Sequence, residues 1–346
     1  MRSVHIPQTV TVVVVNWNRR ELLRECLESL CKQVTYEDFP LNIHVVVVDN
    51  GSTDGSADLV RTQFPNSQLI FNSENLGFCA ANNQGIAAAR GDRIALINND
   101  AVASPLWLAA LSRALDRNPS IGMAASKIVD YEDPRVIDKA GHILYLDGQN
   151  RGRGTGQRDE GQFDKEEEIG WPDGCAAMYR KSMLDQIGGF DEDLFAYADD
   201  AELGLRARIA GWRCWYTPDA VVRHRRGSTL GQGNPQRVFL IERNRVLLAV
   251  KLFPWRLLLL NPYYYLRRLA AGLRSGEQGD LKAFPGWRGK WAVASALLRA
   301  DLAALVLIPR FLAKRRDVAR IAKLRGGALT DLLRRESPDP SALYYS

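Results

Sequence analysis

The sequence predicts an α/β fold: a mostly parallel, Rossmann-like sheet flanked by helices, with a helical C-terminal extension. Strand-like and helix-like segments alternate through the first hundred residues, and this alternation is typical of parallel strands joined by right-handed crossovers. From residue 236 onward the chain has 21 Lys and Arg against 8 Asp and Glu and is rich in Leu, Trp and Tyr. We therefore expect one domain over residues 1–235 and a basic, amphipathic helical region over residues 236–346.

The predicted strands are apolar runs, mostly rich in β-branched residues, which fit strands buried on both faces. In chain order they are residues 9–15, 43–48, 69–71, 93–97 and 121–129, followed by a pair at 214–216 and 220–223. Asn18 is placed to cap the first helix, with Glu21 as its capping-box partner, and Ser104 is placed to cap a later one. Residues 131–170 are polar and Gly-rich without a regular pattern, so we expect a variable excursion there.

Composition narrows the class of protein. The chain has 346 residues, of which 46% are hydrophobic and 25% charged, as in ordinary globular proteins. Its five cysteines form no metal-binding or disulfide pattern, which indicates free thiols in a reducing compartment. The N-terminus shows no signal-peptide pattern, and no run approaches the ~20 apolar residues needed to cross a bilayer. We therefore expect a cytoplasmic location.

Acidic and amide residues follow the strands where we expect them to end. Asp49 follows the second strand, and Asn98, Asn99 and Asp100 follow the fourth. In an open α/β sheet, ligands bind beyond the carboxyl ends of the strands, so these side chains indicate a binding site. Asp100 either binds a divalent cation that holds a diphosphate or belongs to an ordinary turn. The turn after the first strand, NWNRR at residues 16–20, has no glycine, which argues against a glycine-cradled dinucleotide.

Several motifs resemble, in the right order, those of the family 2 glycosyltransferases, which have the GT-A fold. VVVDNGSTDGS at residues 46–56 is similar to the family's second-strand motif, and NLGFCAANNQG at residues 75–85 is similar to a motif of its rhamnosyltransferase branch. The resemblance extends from residue 9 to about residue 231. It implies an inverting transfer from a nucleotide-diphosphate sugar, with dTDP-rhamnose as the favoured donor and a glycan or polyprenyl-linked glycan as the acceptor.

The resemblance implies that residues 1–104 bind the nucleotide sugar. Asp49 would contact the base, although its Gly/Ser-rich surroundings also fit a helix cap. NND at residues 98–100 occupies the place of the family's Asp-x-Asp, with an amide in place of the first carboxylate. The other residues assigned to nucleotide binding are all amides: Asn16, Asn18, Asn75, Asn82, Asn98 and Asn99.

A divalent cation, Mn²⁺ or Mg²⁺, is implied at Asp100 and His224. Asn98 offers only a neutral carbonyl, so Asp100 is the one charged ligand in the NND motif. His224 ends a strand, as Asp100 does; a structural role and metal ligation remain equally open for it, and imidazole suits Mn²⁺ better than Mg²⁺. Arg225 and Arg226 are expected to contact the diphosphate. Residues 227–233, which include Ser228, are expected to form a mobile loop over the donor.

Residues 105–235 are expected to form the acceptor side. WPDGCAAMYR at residues 171–180 resembles the family strand that lies under the acceptor. Within it, Trp171, Asp173 and Gly174 are assigned to acceptor binding. The glycine allows the backbone to approach a ligand closely.

Two adjacent carboxylates, Asp199 and Asp200, match the Glu-Asp pair of the family. The resemblance makes Asp200 the general base, with Asp199 beside it. Adjacent carboxylates raise each other's proton affinity, which suits a base that works near neutral pH. Either residue would also fit the N-terminus of a helix expected over residues 203–210.

The basic C-terminal region combines short apolar stretches, aromatic residues and flanking Lys and Arg, notably at residues 257–268 and 291–312. This pattern is typical of helices that lie in a membrane surface, so we expect peripheral binding to the inner face of the cell membrane. The alternative is a helical subdomain packed on the catalytic domain or on a second subunit of a homodimer. Nucleic acid is not expected as a partner, because no reader motif is present.

Two other functions remain open from the sequence. The first is a family 2 glycosyltransferase that uses a UDP- or GDP-linked sugar, because Asp49 would bind uracil and thymine alike. The second is a catalytically silent, membrane-associated nucleotide-binding scaffold, for which Asn98 is the main support.

Overall fold

The computed structural model describes residues 8–37, 39–227, 231, 233–274 and 283–337. Strands and helices alternate in its first part: β1 (Gln8–Asn16), α1 (Arg20–Cys31), β2 (Leu41–Asp49), α2 (Ser56–Gln63), β3 (Gln68–Phe71), α3 (Phe78–Ala87), β4 (Arg93–Ile97) and β5 (Ala101–Ala103). The next elements are α4 (Trp107–Asp116), β6 (Ile121–Asp130), β7 (Ile137–Lys139), β8 (His142–Leu144), β9 (Asn150–Gly152) and β10 (Glu167–Ile169). They are followed by β11 (Ala176–Arg180), α5 (Lys181–Ile187), a 3₁₀ turn (Glu192–Leu194), α6 (Asp199–Ile209) and β12 (Arg213–His224).

Ten of the twelve strands in the described residues form one sheet. Its main order is β10-β12-β6-β11-β4-β1-β2-β3, with β5 paired to β12 and β7 paired to β6. The pairs β1–β2, β1–β4, β2–β3 and β6–β12 are parallel, whereas β11 runs antiparallel between β4 and β6. Apolar side chains of α1 and α4 pack against the buried strands. This architecture confirms the predicted α/β class.

The sheet brings polar residues to one edge because of strand direction. Asn16 and Asp49 end β1 and β2 and are partners in register. Because β11 is antiparallel to β4, its first residues lie where β4 ends. The backbone amide of Asn98 donates to the carbonyl of Cys175 at 2.8 Å. His224 ends β12, which runs parallel to β6.

Two predicted helix caps were wrong. Arg19, not Asn18, precedes α1, and no side chain caps that helix. The side chain of Asn18 instead accepts a hydrogen bond from the backbone amide of Thr53 at 2.8 Å. Helix α4 starts after Leu106 rather than at Ser104, again with no side-chain cap hydrogen bond. For Asn18, the hydrogen bond with Thr53 takes the place of the local capping interaction.

Three further expectations about secondary structure needed correction. The two strands expected at 214–216 and 220–223 are one strand, β12, with an irregularity between Thr217 and Val221. The excursion over residues 131–170 contains the short strands β7 to β10. Helix α6 starts at Asp199, so the carboxylate pair lies in its first turn.

The chain divides into two compact units. One comprises residues 1–142, 152–207 and 212–226, and the other comprises residues 143–151, 208–211 and 227–346. The second unit contains four further helices: α7 (Pro235–Leu252), α8 (Trp255–Arg274), α9 (Gly286–Ile321) and α10 (Gly326–Arg335). By length and composition α9 is apolar enough to cross a membrane, so the expectation that no segment qualifies was wrong. Large apolar side chains on α9 are exposed, including Trp287 at 70% and Val306 at 79%.

Candidate active site

The ends of β1, β2 and β4 are joined by a chain of amide and carboxylate groups. Asn16 Nδ2 donates to Asp49 Oδ2 at 3.1 Å, and Asn99 Nδ2 donates to Asn16 Oδ1 at 2.7 Å. The other oxygen of Asp49 accepts from the backbone amide of Ser52 at 2.8 Å. Asn16 and Asp49 are fully buried. The structure thus brings three predicted donor-site residues together, with Asp49 also ordering the turn after β2.

Two further amides assigned to the nucleotide, Asn75 and Asn82, make hydrogen bonds within the donor side. Asn75 Oδ1 accepts from Asn50 Nδ2 and from the backbone amide of Gly77, both at 2.9 Å. Asn82 is buried and donates to the carbonyl of Phe78 one turn earlier in α3 at 2.9 Å. These contacts shape the loop before α3 and the first turn of that helix.

Asp100 and His224 lie side by side, and the structure adds Asp138 to them. His224 Nε2 lies 3.3 Å from Asp100 Oδ1. On the other side of the ring, His224 Nδ1 lies 2.6 Å from Asp138 Oδ2. Asp138 is fully buried, and its second oxygen is 2.9 Å from Arg226 Nε. A carboxylate that holds one ring nitrogen of a histidine fixes the tautomer available at the other.

The donor atoms of this pair fit a divalent cation. Asp100 Oδ1 is buried and makes no hydrogen bond among the described residues. Beside it stands the imidazole nitrogen Nε2, and carboxylate oxygen with imidazole nitrogen is a common donor set for Mn²⁺ and Zn²⁺. Burial lowers the pKa of His224, but the neighbouring Cys175, Asp100 and Asp138 raise it well above its usual value. The surroundings of the ring therefore favour positive charge at Nε2, which a proton supplies in the free protein and a bound cation would replace.

The predicted base lies in the first turn of α6. Asp200 Oδ2 is 2.9 Å from Nε2 of His142 and accepts from the backbone amide of Gly174 at 3.4 Å. Asp200 Oδ1 accepts from the amide of Ala201, the next residue of the helix, at 2.7 Å. Burial and the charge of Asp200 raise the pKa of Asp199 to about 8.

The backbone just before the carboxylate pair is strained. Phe195, Tyr197 and Ala198 have φ values of +66°, +69° and +56°, which are unfavourable for residues other than glycine. The carbonyl of Phe195 accepts from the amide of Cys79 at 3.1 Å, which ties this segment to α3. Strain of this kind is concentrated at functional sites in proteins.

Asp173 lies in the wall of the site rather than on its surface. It is 4% exposed, and its Oδ2 is 2.6 Å from both Lys139 Nζ and His142 Nε2. Its Oδ1 accepts from the backbone amide of Cys175 at 2.8 Å. Trp171, also assigned to the acceptor, is buried as well. Gly174 lies beside Asp200, since a Cβ atom added to the glycine would lie 3.6 Å from the Cβ atom of that aspartate.

His142, Asp173 and Asp200 form a second group that could hold a metal ion, since their donor atoms lie within 4.8 Å of one another. However, the Lys139 ammonium already contacts the Asp173 oxygen of this group. A second cation there would be repelled by that ammonium group. Within the described part of the chain, the ion pairs of Asp100 and His224 involve no lysine.

Cys175 connects the parts of the site. Its backbone carbonyl accepts a hydrogen bond from the backbone amide of Asn98, and its backbone amide donates to Asp173. Its thiol makes a hydrogen bond with His224. Sequence analysis missed this residue together with Asp138, Lys139 and His142. All but Cys175 come from the excursion, where no periodic pattern marked them.

The arginines after His224 are already engaged. Arg225 Nη1 lies 3.1 Å from Glu25 Oε2, and its guanidinium group stacks 3.7 Å from the Tyr131 ring centre. Arg226 contacts the buried Asp138. Both remain partly exposed. Ser228, assigned to the loop over the donor, lies outside the described residues.

The chain is similar to known proteins. Residues 11–188 match the model of glycosyl transferase family 2. An N-acetylglucosaminyl-diphospho-decaprenol L-rhamnosyltransferase of Mycobacterium tuberculosis is 31% identical over 55% of this chain and 69% of its own length. A pre-mycofactocin glycosyltransferase of the same species is 26% identical over 96% of this chain and 73% of its own length.

Solved structures show the same fold at low sequence identity. A mannosyltransferase of Pyrobaculum calidifontis, in complex with GDP-Man and Mn²⁺, aligns with a TM-score of 0.55 and 20% identity over 91% of this chain and 86% of its own. GalNAc-T7 with UDP, GalNAc and Mn²⁺ aligns with a TM-score of 0.58 and 12% identity over 88% of this chain and 58% of its own. The chain therefore belongs to glycosyl transferase family 2, and its sheet has the GT-A fold.

Proposed function

We propose that this protein is an inverting glycosyltransferase that moves L-rhamnose from dTDP-rhamnose to a lipid-linked glycan. The observation that carries the proposal is the meeting of two carboxylate–histidine groups at one edge of the sheet. Asp100 lies beside His224, Asp200 lies beside His142, and Cys175 touches both sides of the site. The relative that is named an L-rhamnosyltransferase supports the choice of sugar.

The nucleotide would bind at the ends of β1, β2 and β4, where Asn16, Asp49 and Asn99 meet. Asp100 and His224 would hold a divalent cation, with Asn98 able to add a neutral carbonyl. When bound, such a cation stabilises negative charge on a departing diphosphate. Asp138 accepts the Nδ1 proton of His224, which leaves Nε2 as the nitrogen that can donate electrons to a metal. The partly exposed Arg225 and Arg226 would add positive charge near the diphosphate.

Asp200 would act as the base. It takes the proton from the acceptor hydroxyl while that oxygen forms a bond to the anomeric carbon, from the face opposite the diphosphate. The bond from carbon to the diphosphate oxygen breaks, so the configuration at carbon is inverted. Asp199 stays mostly protonated below pH 8 because its pKa is raised to about 8. A neutral neighbour avoids repulsion between two adjacent buried carboxylates.

Peripheral membrane binding through the second unit forms part of this proposal. Exposed aromatic and aliphatic side chains on α8 and α9 stand among many Lys and Arg residues. Apolar side chains of this kind insert into the headgroup region, and the basic residues attract anionic lipids. Such a position on the inner face of the membrane would give access to a polyprenyl-linked acceptor.

Replacement of the base tests the proposal. Asp200→Asn should still bind dTDP but lose transfer by at least about 100-fold, the usual contribution of a general base. Asp185→Asn is a matched control, because Asp185 is an exposed partner of Lys181 on α5. Full transfer activity of Asp200→Asn would rule out Asp200 as the base.

A thermal-shift panel of dTDP, UDP and GDP, each with and without Mn²⁺ or Mg²⁺, tests the donor. A nucleotide at a hundred times its Kd stabilises the folded protein by about 2.7 kcal/mol. We expect the largest shift with dTDP and Mn²⁺. A larger shift with UDP or GDP would assign a different donor, and wild-type protein that binds nucleotide without any transfer would favour the silent scaffold.

A further inference from the structure

The His142 side chain lies between two carboxylates. Its Nε2 is 2.6 Å from Asp173 Oδ2 and 2.9 Å from Asp200 Oδ2. The residue starts β8 and is 7% exposed. Its backbone amide donates to the carbonyl of Trp171 at 3.2 Å, so both the backbone and the ring are held by the segment that precedes β11.

Among the contacts of the described residues, carboxyl groups around this ring outnumber ammonium groups. Three carboxyl groups, Asp173, Asp199 and Asp200, lie close together, and Lys139 provides one ammonium group, which contacts Asp173. Buried carboxylates need nearby positive charge or hydrogen-bond donors to stay ionised. The ring of His142 reaches Asp200 directly and carries a positive charge when it is protonated.

We propose that His142 is a positioning residue for the base: its Nε2–H group lies between Asp173 Oδ2 and Asp200 Oδ2 and stabilises the negative charge of Asp200 until the acceptor proton arrives. The inference rests on the proposed role of Asp200. In the transfer step the acceptor proton moves to Asp200, while His142 keeps its own proton and its charge. Lys139 does not contact Asp200 in the described contacts but pairs with Asp173. Because Lys139 balances the charge of Asp173, the positive charge of His142 can balance that of Asp200.

The protonation of the ring is consistent with this role. Burial lowers the pKa of His142, but Asp200 and Asp173 raise it to about 10, so the ring is cationic at neutral pH. The ionisable groups that face the pair are Lys139 of β7, Asp173 before β11, Tyr179 of β11 and Asp199 of α6. The pKa of Tyr179 is raised well above 10, first by burial, so this tyrosine stays neutral over the working range.

His142→Gln tests the inference, because the amide keeps a hydrogen-bond donor but removes the charge. A base that loses a nearby cation ionises at higher pH, by about one unit or more. We therefore expect the acidic limb of the kcat/KM profile to move up by about one pH unit. Affinity for dTDP and for MnCl₂ should stay unchanged. His44→Gln is the control, because His44 is a half-buried histidine in the middle of β2, and its profile should match the wild type.

Two results would overturn the inference. One is an acidic limb that stays in place in a folded His142→Gln variant. The other is a clear loss of Mn²⁺ affinity in that variant, which would make His142 a metal ligand in the group with Asp173 and Asp200.

A measurement on the wild-type protein needs no variant. In a ¹³C- and ¹⁵N-histidine-labelled sample, the His142 ring should remain cationic up to about pH 9, and a ring that becomes neutral below pH 7 contradicts the inference. Failure of the proposed function is distinguishable from these outcomes. It would show as full activity of Asp200→Asn, whatever the behaviour of His142.

Discussion

Asp138→Asn removes the carboxylate charge beside His224 and changes which ring nitrogen of His224 carries the proton. The wild-type carboxylate accepts from Nδ1 of His224 with one oxygen and faces Arg226 Nε with the other. Arg226 can only donate, so the single oxygen of the new amide must face it. The NH₂ group then faces Nδ1 of His224, which must become an acceptor. The ring proton moves to Nε2, the nitrogen that faces Asp100.

The magnitude follows from the loss of this nitrogen as a ligand. A protonated Nε2 cannot bind a metal. To bind one, His224 must move its proton back to Nδ1, and it then loses the hydrogen bond between Nδ1 and the new amide at position 138. Replacement of such a supporting carboxylate typically costs 10- to 100-fold in metal affinity, which is roughly 1.4–2.8 kcal/mol. We expect Asp138→Asn to bind Mn²⁺ that much more weakly. The substitution preserves size, so the fully buried position should keep its packing.

Titration with MnCl₂, followed by the EPR signal of the free ion, measures the affinity directly. Asp164→Asn is the control, because Asp164 is an exposed partner of Lys127 at 2.6 Å in the same excursion. Unchanged Mn²⁺ affinity in Asp138→Asn would refute the tautomer argument, provided that His224→Ala abolishes binding. If His224→Ala also binds Mn²⁺ normally, the metal site itself is wrongly assigned.

Three other predictions concern stability and membrane binding. Because the pKa of Asp199 is raised to about 8 in the folded state, the contribution of Asp199 to stability is lost as pH rises from about 4 to 8; in urea denaturation, the stability of the wild type relative to Asp199→Asn should fall over this range. Gly77→Ala should lower stability by about 1–3 kcal/mol in the same assay, since Gly77 has φ +87° and a Cβ there would lie 2.5 Å from the Phe195 ring. Replacement of Leu305 and Val306, exposed on α9, by Glu should reduce co-sedimentation with anionic vesicles at least tenfold.

Each of these predictions has a control. Gly156 has a similar φ of +84°, but no atom lies within 4 Å of a Cβ added there. If Gly156→Ala and Gly77→Ala lose equal stability, the loss comes from backbone strain alone and not from the contact with Phe195. Val34→Glu, at an exposed position before β2, should leave vesicle binding unchanged. Equal urea profiles of Asp199→Asn and wild type at pH 5 and 8 would contradict a raised pKa of Asp199.

The local parts of the fold could be predicted from the sequence because their causes are local. Buried parallel strands are runs of apolar, often β-branched residues, and the segments at 43–48 and 93–97 became β2 and β4 within two residues at each end. The short-range capping preferences of Asn18 and Ser104 did not hold. The side chain of Asn18 instead accepts a hydrogen bond from Thr53, 35 residues away. A local stretch of sequence does not contain the information needed to predict such a contact.

The sequence by itself determined the α/β class and the strand ends at which Asp49, Asp100 and His224 stand, because parallel strands place their carboxyl ends at one edge. Only the tertiary structure decided which groups support them. Asp138 meets His224 across 86 residues and His142 meets Asp200 across 58, from an excursion without any periodic pattern. Buried charges pair by proximity in space rather than along the chain, so such partners become visible only once the strands are packed.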